Sequence, residues 1–300
     1  MPPAPDAIAG HVLAGKYRLL RVLGRGGGGE VYEAENVQTH APLAVKKLLP
    51  GLADAERLAA RFRREANAVS LLDHPNIVEV IDFVSEQDAL CIVMELVRGR
   101  SVGTALESGA LEPRRSLVIA RQVLEALAHA HARGMIHRDI KPDNIMLVPH
   151  GEPGREYESI KLLDFGLVKL IGDAAGSLGD QRLTQTGVVF GTPAYMAPEH
   201  VLGRDIDGRA DLYALGVVLF EMLIGRAPYQ SPDPTTLMRM QATAPVPSLA
   251  AAAPWCTPEL EHLIARALAK RPEERHATAH EMISALDAAF LSLDHLPAGG

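Results

Sequence analysis

The sequence predicts an α+β chain in which a small, β-rich part precedes a larger and mainly helical part. Up to Leu96 the chain consists mostly of short runs rich in β-branched and other apolar residues: YRLLRVLG, EVYEAE, PLAVKKLL, IVEVIDFV and LCIVMEL. Runs of this length and composition favour strands. After Gly99 the apolar residues recur at helical spacing, most clearly over residues 114–133 behind Pro113.

One helix is predicted inside the β-rich part, from residue 54 to residue 72. Glu65 falls on its apolar face, and a carboxylate on such a face is costly unless it is paired. A basic partner within the fold would explain it, and so would a side chain that reaches solvent at the edge of the face. The apolar residues of that face are Leu58, Phe62, Val69 and Leu72.

The remaining boundaries follow from composition. Residues 1–14, with three prolines in the first five, are predicted to form a mobile leader, and residues 291–300 a flexible tail. Residues 15–97 are assigned to the β-rich part and residues 98–290 to the helical part. The stretch PHGEPGREYES at 149–159 is predicted to be a surface loop, because it is longer than a tight turn needs.

Charge and composition argue against two classes of partner. The formal net charge is −7, the pI is near 5.9, and Lys and Arg are scattered among acids, so no nucleic-acid surface is predicted. The apolar stretch 214–224 contains Glu221 and is too short to span a bilayer, so no membrane segment is predicted.

The two cysteines fit neither a metal-ligand spacing nor a disulfide framework, which indicates a reducing, cytoplasmic compartment.

Two polar stretches lie at the ends of predicted strands: HRDIKPDN at 137–144 and DFG at 164–166. Asn144 directly precedes the run 145–148, and Asp164 directly follows the run 160–163. Amide and carboxylate oxygens are the hard ligands that Mg²⁺ takes, while water and substrate phosphates complete its shell. The sequence therefore predicts Asn144 and Asp164 as ligands of Mg²⁺ or Mn²⁺, with Asp139 near them but outside the metal shell.

A glycine-rich stretch, GRGGGGEV at 24–31, lies between two predicted strands. Gly24, Gly26 and Gly29 have the G-x-G-x-x-G spacing, and glycine lets a backbone approach phosphates without a Cβ in the way. A plain flexible hairpin would have the same composition. A dinucleotide-binding fold is disfavoured, because it requires a helix after the glycines and EVYEAE has the pattern of a strand.

Taken together, these motifs resemble the catalytic domain of the eukaryotic-like (Hanks-type) bacterial serine/threonine protein kinases. The resemblance runs from about Tyr17 to about Phe290, and it includes Lys46 in PLAVK, the stretch GTPAYM at 191–196 and the APE triplet at 197–199. It implies a two-lobed protein kinase fold, with a small antiparallel β-rich N-lobe that contains one key helix and a larger, mainly helical C-lobe. ATP with Mg²⁺ or Mn²⁺ is the implied cofactor.

The resemblance also implies which residues bind ATP. Lys46 would hold the α- and β-phosphates and pair with Glu65, and Met94 would be the gatekeeper before the hinge at 97–99. Gly28 departs from the family pattern, which has a larger residue at the tip of the loop. The implied nucleotide contacts are Leu23, Gly24, Arg25, Gly26, Gly27, Gly28, Gly29, Val31, Ala44, Lys46, Met94, Glu95, Val97 and Met146.

The catalytic roles are implied in the same way. Asp139 would accept or orient the proton of the attacking hydroxyl, and Lys141 would neutralise the transferred phosphoryl group. Asn144 and Asp164 would hold the metal. Lys141 together with Thr192 resembles the serine/threonine kinases, so the implied partners are proteins that bear serine or threonine.

Residues 164–199 resemble a regulated activation segment. Thr184 or Thr186 is the predicted site of autophosphorylation, with Arg138 as the partner of the added phosphate. Self-association is implied as a route to phosphorylation in trans. Thr192 is predicted to brace Asp139 and Lys141.

Other positions have implied structural roles. Asp211 is expected to steady the loop that carries Asp139, and Glu199 is expected to form a buried ion pair with Arg275. His137 and Phe165 resemble part of an apolar spine that is formed in active kinases. His129 and His131 are predicted to be surface or packing residues.

Two other functions stay open at this point. A pseudokinase scaffold would bind nucleotide or partners without turnover, and a small-molecule phosphotransferase of related fold would phosphorylate a metabolite. The second class generally lacks the APE triplet and the GTPAYM stretch that are present here. The first is disfavoured because every position that phosphoryl transfer needs is filled: Lys46, Glu65, Asp139, Lys141, Asn144 and Asp164.

Overall fold

A computed structural model of the chain describes residues 10–26, 29–48, 72–86, 89–152, 157–165 and 193–295. These residues belong to two compact units. The first, called the β unit here, comprises the residues up to Asp73 together with Ile77–Arg98. The second, called the helical unit, comprises His74–Asn76 and the described residues from Gly99 onwards.

The β unit is built on one sheet of six strands in the order β1-β2-β3-β4-β6-β5. Every neighbouring pair is antiparallel, as predicted. The predicted helix 54–72 lies outside the described residues except for Leu72. The strands are β1 Val12–Leu13, β2 Tyr17–Gly26, β3 Gly29–Asn36, β4 Pro42–Lys47, β5 Val80–Glu86 and β6 Ala89–Glu95.

A cluster of apolar side chains packs on one face of this sheet. Successive side chains of a strand point to opposite faces, so Leu43 and Val45 of β4 enter this cluster while Ala44 and Lys46 lie on the other face. In β4, the residues that pack in the cluster therefore lie on one face of the sheet, and the predicted nucleotide contacts lie on the other. The members of the cluster are Leu13, Tyr17, Leu19, Tyr32, Ala34, Leu43, Val45, Val84, Cys91 and Val93.

The helical unit contains eight α-helices and a three-stranded antiparallel sheet in its described part. The sheet has the order β7-β8-β9. None of the described helices is both long enough and apolar enough to cross a membrane. The elements are β7 Arg100–Ser101, α1 Val102–Leu106, α2 Pro113–His131, β8 Ile145–His150, β9 Tyr157–Leu162, α3 Pro198–Val201, α4 Arg209–Ile224, α5 Pro234–Thr243, α6 Leu249–Ala252, α7 Pro258–Ala267 and α8 Ala279–Ser292.

Helix α4 is the central helix of this unit. Of its 16 residues 13 are buried, as expected for a helix that is apolar on all sides. At Gly216 an added Cβ would lie 2.8 Å from the Cβ of Ala267 in α7, so the absence of a side chain lets the two helices approach closely. The helix ends at Gly225, whose φ of 81° is the left-handed conformation that favours glycine. This rigid helix carries Asp211 in its first turn.

The prediction that residues 149–159 form a surface loop is wrong at both ends of this stretch. Strand β8 continues to His150 and β9 begins at Tyr157, with Pro149 opposite Glu158 and His150 opposite Tyr157. The rings of His150 and Tyr157 stack with their centroids 5.0 Å apart. Pro149 is tolerated because β7 pairs only with Met146 and Leu147, so the missing N–H falls where β8 has no second neighbour.

Candidate functional site

The glycine-rich stretch forms the closed end of the β2–β3 hairpin. Arg25 lies opposite Glu30 and Gly26 opposite Gly29, while a register shift falls at Leu23. Gly27 and Gly28, which connect the strands, lie outside the described residues. The guanidinium of Arg25 is 2.9 Å from the carboxylate of Glu30, so an ion pair crosses the hairpin next to its tip.

Gly29 is required by the packing of this hairpin. Its φ is +132°, and a Cβ added there would lie 2.1 Å from the carbonyl oxygen of Lys47 in β4. Any side chain would therefore push β3 away from β4. At Gly24 an added Cβ would meet nothing within 4 Å, so that position is open to a ligand as far as the described residues are concerned.

Four predicted nucleotide contacts share the other face of the sheet. Val31 lies opposite Lys46, and Ala44 lies opposite Met94. Residues opposite each other share a face, and so do positions 44 and 46 along one strand. Lys46 is only 7 % exposed, which is unusual for a lysine side chain.

The other predicted nucleotide contacts are divided between the units. Glu95 ends β6, where its backbone N–H donates to the carbonyl of Glu79 at 3.0 Å, and Val97 follows it in the β unit. Met146 lies in β8 of the helical unit, opposite Lys161.

In the helical unit, Asp211 holds the start of the HRD segment, which is residues 137–144. Its carboxylate, 1 % exposed, accepts the backbone N–H groups of His137 and Arg138, each at 2.8 Å. Arg138 has a φ of +63°, a left-handed conformation that is uncommon for a residue with a side chain. Two hydrogen bonds to a buried carboxylate stabilise this strained turn, and the turn presents Asp139.

His131 completes the surroundings of Asp211. Its Nε2 lies 2.8 Å from the Oδ2 of Asp211, and Gly208 leaves room for the ring, since a Cβ at Gly208 would lie 2.8 Å from it. The prediction that His131 is a surface or packing residue missed this contact. Nothing in the helical spacing of α2 indicates a partner that lies 80 positions along the chain.

His137 connects the HRD segment to the chain that leads to Asp164. Its Nδ1 accepts the backbone N–H of Asp139 at 3.2 Å, so the ring proton is on Nε2, which donates to the carbonyl of Leu163 at 2.8 Å. The imidazole is neutral, and burial lowers its pKa although Asp211 acts in the opposite direction. Its ring packs on Phe165 with the centroids 4.6 Å apart, as expected for two members of one apolar spine.

Asp139 is held by two side chains of its own segment. The Asn144 amide donates to the Asp139 carbonyl at 2.8 Å and to its carboxylate at 3.0 Å, and the Lys141 ammonium lies 3.0 Å from the same carboxylate. The Asp139 and Lys141 side chains are each about one-fifth exposed, at 21 % and 22 %. A fixed carboxylate that a ligand can still reach is able to orient a hydroxyl group or accept its proton.

Asn144 and Asp164 lie at neighbouring ends of β8 and β9. The backbone N–H of Leu163 donates to the Asn144 carbonyl at 2.8 Å, which brings the following residue, Asp164, next to Asn144. Because the Asn144 nitrogen is used by Asp139, its side-chain oxygen is the atom left for a ligand. One amide oxygen and one carboxylate fit a cation such as Mg²⁺, which binds few protein ligands and keeps several waters.

The chain from Pro193 to Glu199 is attached to α4 and to the segment before α8. The Tyr195 hydroxyl donates to Glu221 at 2.7 Å. Glu199 accepts two hydrogen bonds of 2.7 Å from Arg275, and both side chains are buried. The remaining guanidinium N–H groups donate to the carbonyls of Ala269, Arg209 and Lys270, so all five donors of Arg275 are used.

Asp211→Asn is expected to lower the free energy of unfolding by roughly 1.5–3 kcal/mol, the range for a hydrogen bond to a charged group. The amide nitrogen of Asn cannot accept one of the backbone N–H groups that the carboxylate accepts. Urea unfolding measures the change, with Asp207→Asn as control, because the Asp207 carboxylate accepts hydrogen bonds from nearby Arg209 and is 55 % exposed. Equal effects of the two variants would contradict the role of Asp211.

Stability is expected to fall as the pH drops below about 6.5, the pKa of an unfolded histidine. Burial lowers the pKa of both His137 and His276, so below that pH the unfolded chain binds protons that the folded chain does not. The stability is lost between the unfolded pKa and the lower folded pKa.

Urea midpoints at pH 7.5 and 5.5 should differ less in His276→Gln than in the parent. The exposed control His280→Gln should keep the parental difference, and a His276→Gln variant that also keeps it would refute the assignment.

Several predicted residues lie outside the described part of the chain, so their roles stay predictions. They are Gly27, Gly28, Glu65, Thr184, Thr186 and Thr192.

Comparison with known proteins identifies relatives over nearly the whole chain. The family model described as "Protein kinase domain" matches residues 17–286. The chain is 39 % identical over 299 residues to the serine/threonine-protein kinase pkn2 of Myxococcus xanthus, covering 99 % of this chain and 35 % of that protein. It is 41 % identical to Pkn1 of the same organism, covering 96 % and 40 %, and 37 % identical to PrkC of Bacillus subtilis, covering 94 % and 42 %.

The solved structures that resemble this chain include the PknI kinase domain of Mycobacterium tuberculosis. The TM-score is 0.71 at 29 % sequence identity, with 94 % of this chain and 98 % of that chain covered. The predicted two-lobed fold class is thereby confirmed. The chain spans less than half the length of pkn2, Pkn1 and PrkC.

Proposed function

Because the chain belongs to the protein kinase domain family, we propose that it is an ATP-dependent serine/threonine protein kinase. The observation that carries this proposal is the Asp139 carboxylate, held 3.0 Å from both the Lys141 ammonium and the Asn144 amide, and still partly exposed. A protein that only bound nucleotide would have no need to fix a carboxylate in this way.

In the proposed reaction, the bond between the γ-phosphorus and the bridging oxygen of ATP breaks and a bond to a serine or threonine oxygen forms. Asp139 orients the hydroxyl and accepts its proton, directly or on the way to solvent. Lys141, next to it, neutralises negative charge on the transferred group. Positioning and charge neutralisation account for most of the rate in phosphoryl transfer, and these residues are fixed by hydrogen bonds before a substrate arrives.

The β unit supplies the proposed nucleotide contacts. The backbone of the glycine hairpin and the Lys46 ammonium would bind the phosphates, while Val31, Ala44 and Met94 form an apolar wall for adenine. Members of this family generally use ATP with a divalent metal, which would neutralise charge on the phosphates. We assign that metal to Asn144 and Asp164, and the hard oxygen donors favour Mg²⁺ or Mn²⁺.

Serine and threonine are the proposed acceptors. Lys141 has the identity found in serine/threonine kinases, and pkn2 and PrkC are both named serine/threonine-protein kinases. Thr192 is proposed to brace Asp139 and Lys141. Protein substrates, self-association for phosphorylation in trans at Thr184 or Thr186, and a cytoplasmic location are parts of the same proposal.

Incubation with γ-labelled ATP, Mg²⁺ and myelin basic protein tests the proposed function. Acid hydrolysis of the labelled protein should release phosphoserine or phosphothreonine, and Lys46→Met should reduce the label to background. Mass spectrometry of the chain itself should find phosphate on Thr184 or Thr186. Label that reaches only a small metabolite, or none at all, would reject a protein kinase.

A further inference from the structure

Gln241 is a fully buried amide on a helix that is otherwise partly exposed. It is the only buried residue of α5 and is 0 % exposed. Its Nε2 donates to the carbonyl of Ala194, in the turn Pro193–Tyr195, and its Oε1 accepts from the Tyr213 hydroxyl at 2.5 Å. The side chain therefore joins α5, α4 and this turn.

The direction of each hydrogen bond in this group is determined by chemistry. A backbone carbonyl can only accept, so the amide nitrogen of Gln241 must face Ala194 and its oxygen must face Tyr213. The Tyr213 hydroxyl must then donate to Gln241, and its own oxygen lies 3.4 Å from the Lys270 ammonium, which can only donate. The chain of donors thus runs from Lys270 through Tyr213 and Gln241 to Ala194.

Lys270 holds the other end of this chain. Its ammonium donates to the backbone carbonyl of Gln241 at 2.8 Å and to the Tyr229 hydroxyl at 2.9 Å, and it lies 4.2 Å from the centre of the Tyr229 ring. Burial, followed by the charge of Arg275, lowers the pKa of Lys270 to about 8. The backbone and the side chain of Gln241 are therefore both fixed.

Tyr195, in the turn that Gln241 holds, lies within electrostatic reach of the HRD segment. Burial raises the pKa of Tyr195, and the nearby carboxylates of Glu221 and then Asp143 raise it further. Asp143 belongs to the HRD segment, two residues after Lys141. A displacement of Ala194 would move Tyr195, its neighbour in the turn, relative to Asp143, and hence relative to the segment whose Asp139 and Lys141 are assigned to the acceptor hydroxyl.

We propose that Gln241 is a positioning residue for the protein substrate, because it fixes the Pro193–Tyr195 turn through the Ala194 carbonyl, with Tyr213 and Lys270 fixing Gln241 in turn. This proposal rests on the proposed kinase function. Gln241 touches neither ATP nor the transferred group. Its loss should weaken the use of the protein substrate and leave the use of ATP unchanged.

Gln241→Met, which keeps the length of the side chain but removes the amide, tests this in kinetics. The KM for myelin basic protein should rise roughly tenfold, the change expected for one buried hydrogen bond, while the KM for ATP stays within about twofold. Tyr213→Phe, which keeps the ring but removes the hydroxyl, should change the same constant by about two- to threefold. An unchanged KM for the protein substrate, or an equal rise in both constants, would overturn the proposal.

Gln122→Met is the matched control. The Gln122 amide oxygen accepts from the Asn76 side chain at 3.1 Å and from the Ile160 backbone at 3.0 Å, so its loss also leaves donors unpaired in the helical unit. Gln122 has no hydrogen bond to the Pro193–Tyr195 turn, and its variant should keep the parental KM for both substrates. If Gln122→Met raised the KM for myelin basic protein as selectively as Gln241→Met does, the rise would not be specific to the Pro193–Tyr195 turn.

Hydrogen exchange tests the proposal without any catalysis. The backbone amides of residues 194–196 should exchange several-fold faster in Gln241→Met than in the parent, and at the parental rate in Gln122→Met. This result holds even if the parent transfers no phosphate, so failure of the kinase assignment and failure of the positioning role can be told apart. Unchanged exchange in Gln241→Met would refute the positioning role.

Discussion

Asp139→Asn is expected to lower kcat for protein phosphorylation by about 10²–10⁴-fold, the contribution typical of a positioned general base. The amide has the shape of the carboxylate but does not accept a proton. Its one remaining oxygen can still face the Lys141 ammonium and the Asn144 amide, which are both 3.0 Å from Oδ2 of Asp139 in the parent. Steady-state kinetics with myelin basic protein measures the change.

The fold and the nucleotide affinity should survive this substitution. Calorimetric titration with MgATP should give a Kd within about threefold of the parental value, since Asp139 is not assigned to the nucleotide. Asp207→Asn makes the same chemical change at a largely exposed position of the helical unit and should keep the parental kcat. An Asp139→Asn variant with more than about a tenth of the parental kcat would remove Asp139 from its assigned role.

Glu199→Ala is expected to lower the free energy of unfolding by about 3–5 kcal/mol, the cost of leaving one buried charge without its partner. The Arg275 side chain is 0 % exposed and gives two of its five N–H donors to Glu199. Urea unfolding followed by circular dichroism measures the loss.

The exposed pair of Arg121 and Asp287 is the control for burial. Their side chains are 44 % and 46 % exposed, and a pair of this kind contributes about 1 kcal/mol or less. Asp287→Ala removes the same kind of carboxylate from another ion pair of the same unit. If Glu199→Ala lowers the free energy of unfolding by no more than Asp287→Ala does, the buried ion pair does not contribute importantly to stability.

The sequence predicts the catalytic end of the β8–β9 hairpin well because local pattern decides it. Apolar runs directly after Asn144 and before Asp164 leave little choice about where the strands lie, and antiparallel pairing then brings the two residues together. Residues 149–159 mislead because their composition is polar and contains Pro149. Pairing with a neighbouring strand overrides local composition, and strand propensity is weak compared with such context.

His131 and Gln241 could not be assigned from the sequence for a different reason. Each bonds a partner far along the chain, 80 positions away for His131 and 47 for Gln241. Helical periodicity states which face of a helix is buried but not which polar group meets it there. A polar residue on the buried face of a helix predicts that it has a hydrogen-bond partner, but the sequence does not indicate which residue that partner is.

The attachment of Asp139 to the centre of the helical unit has a consequence for thermal unfolding. The strained turn at Arg138 is held by Asp211 on α4, a helix that is buried at 13 of its 16 positions. Regions with few buried contacts open first on warming, whereas this turn is fixed to a buried helix. The turn at Arg138 should therefore stay closed on heating until the helical unit itself unfolds.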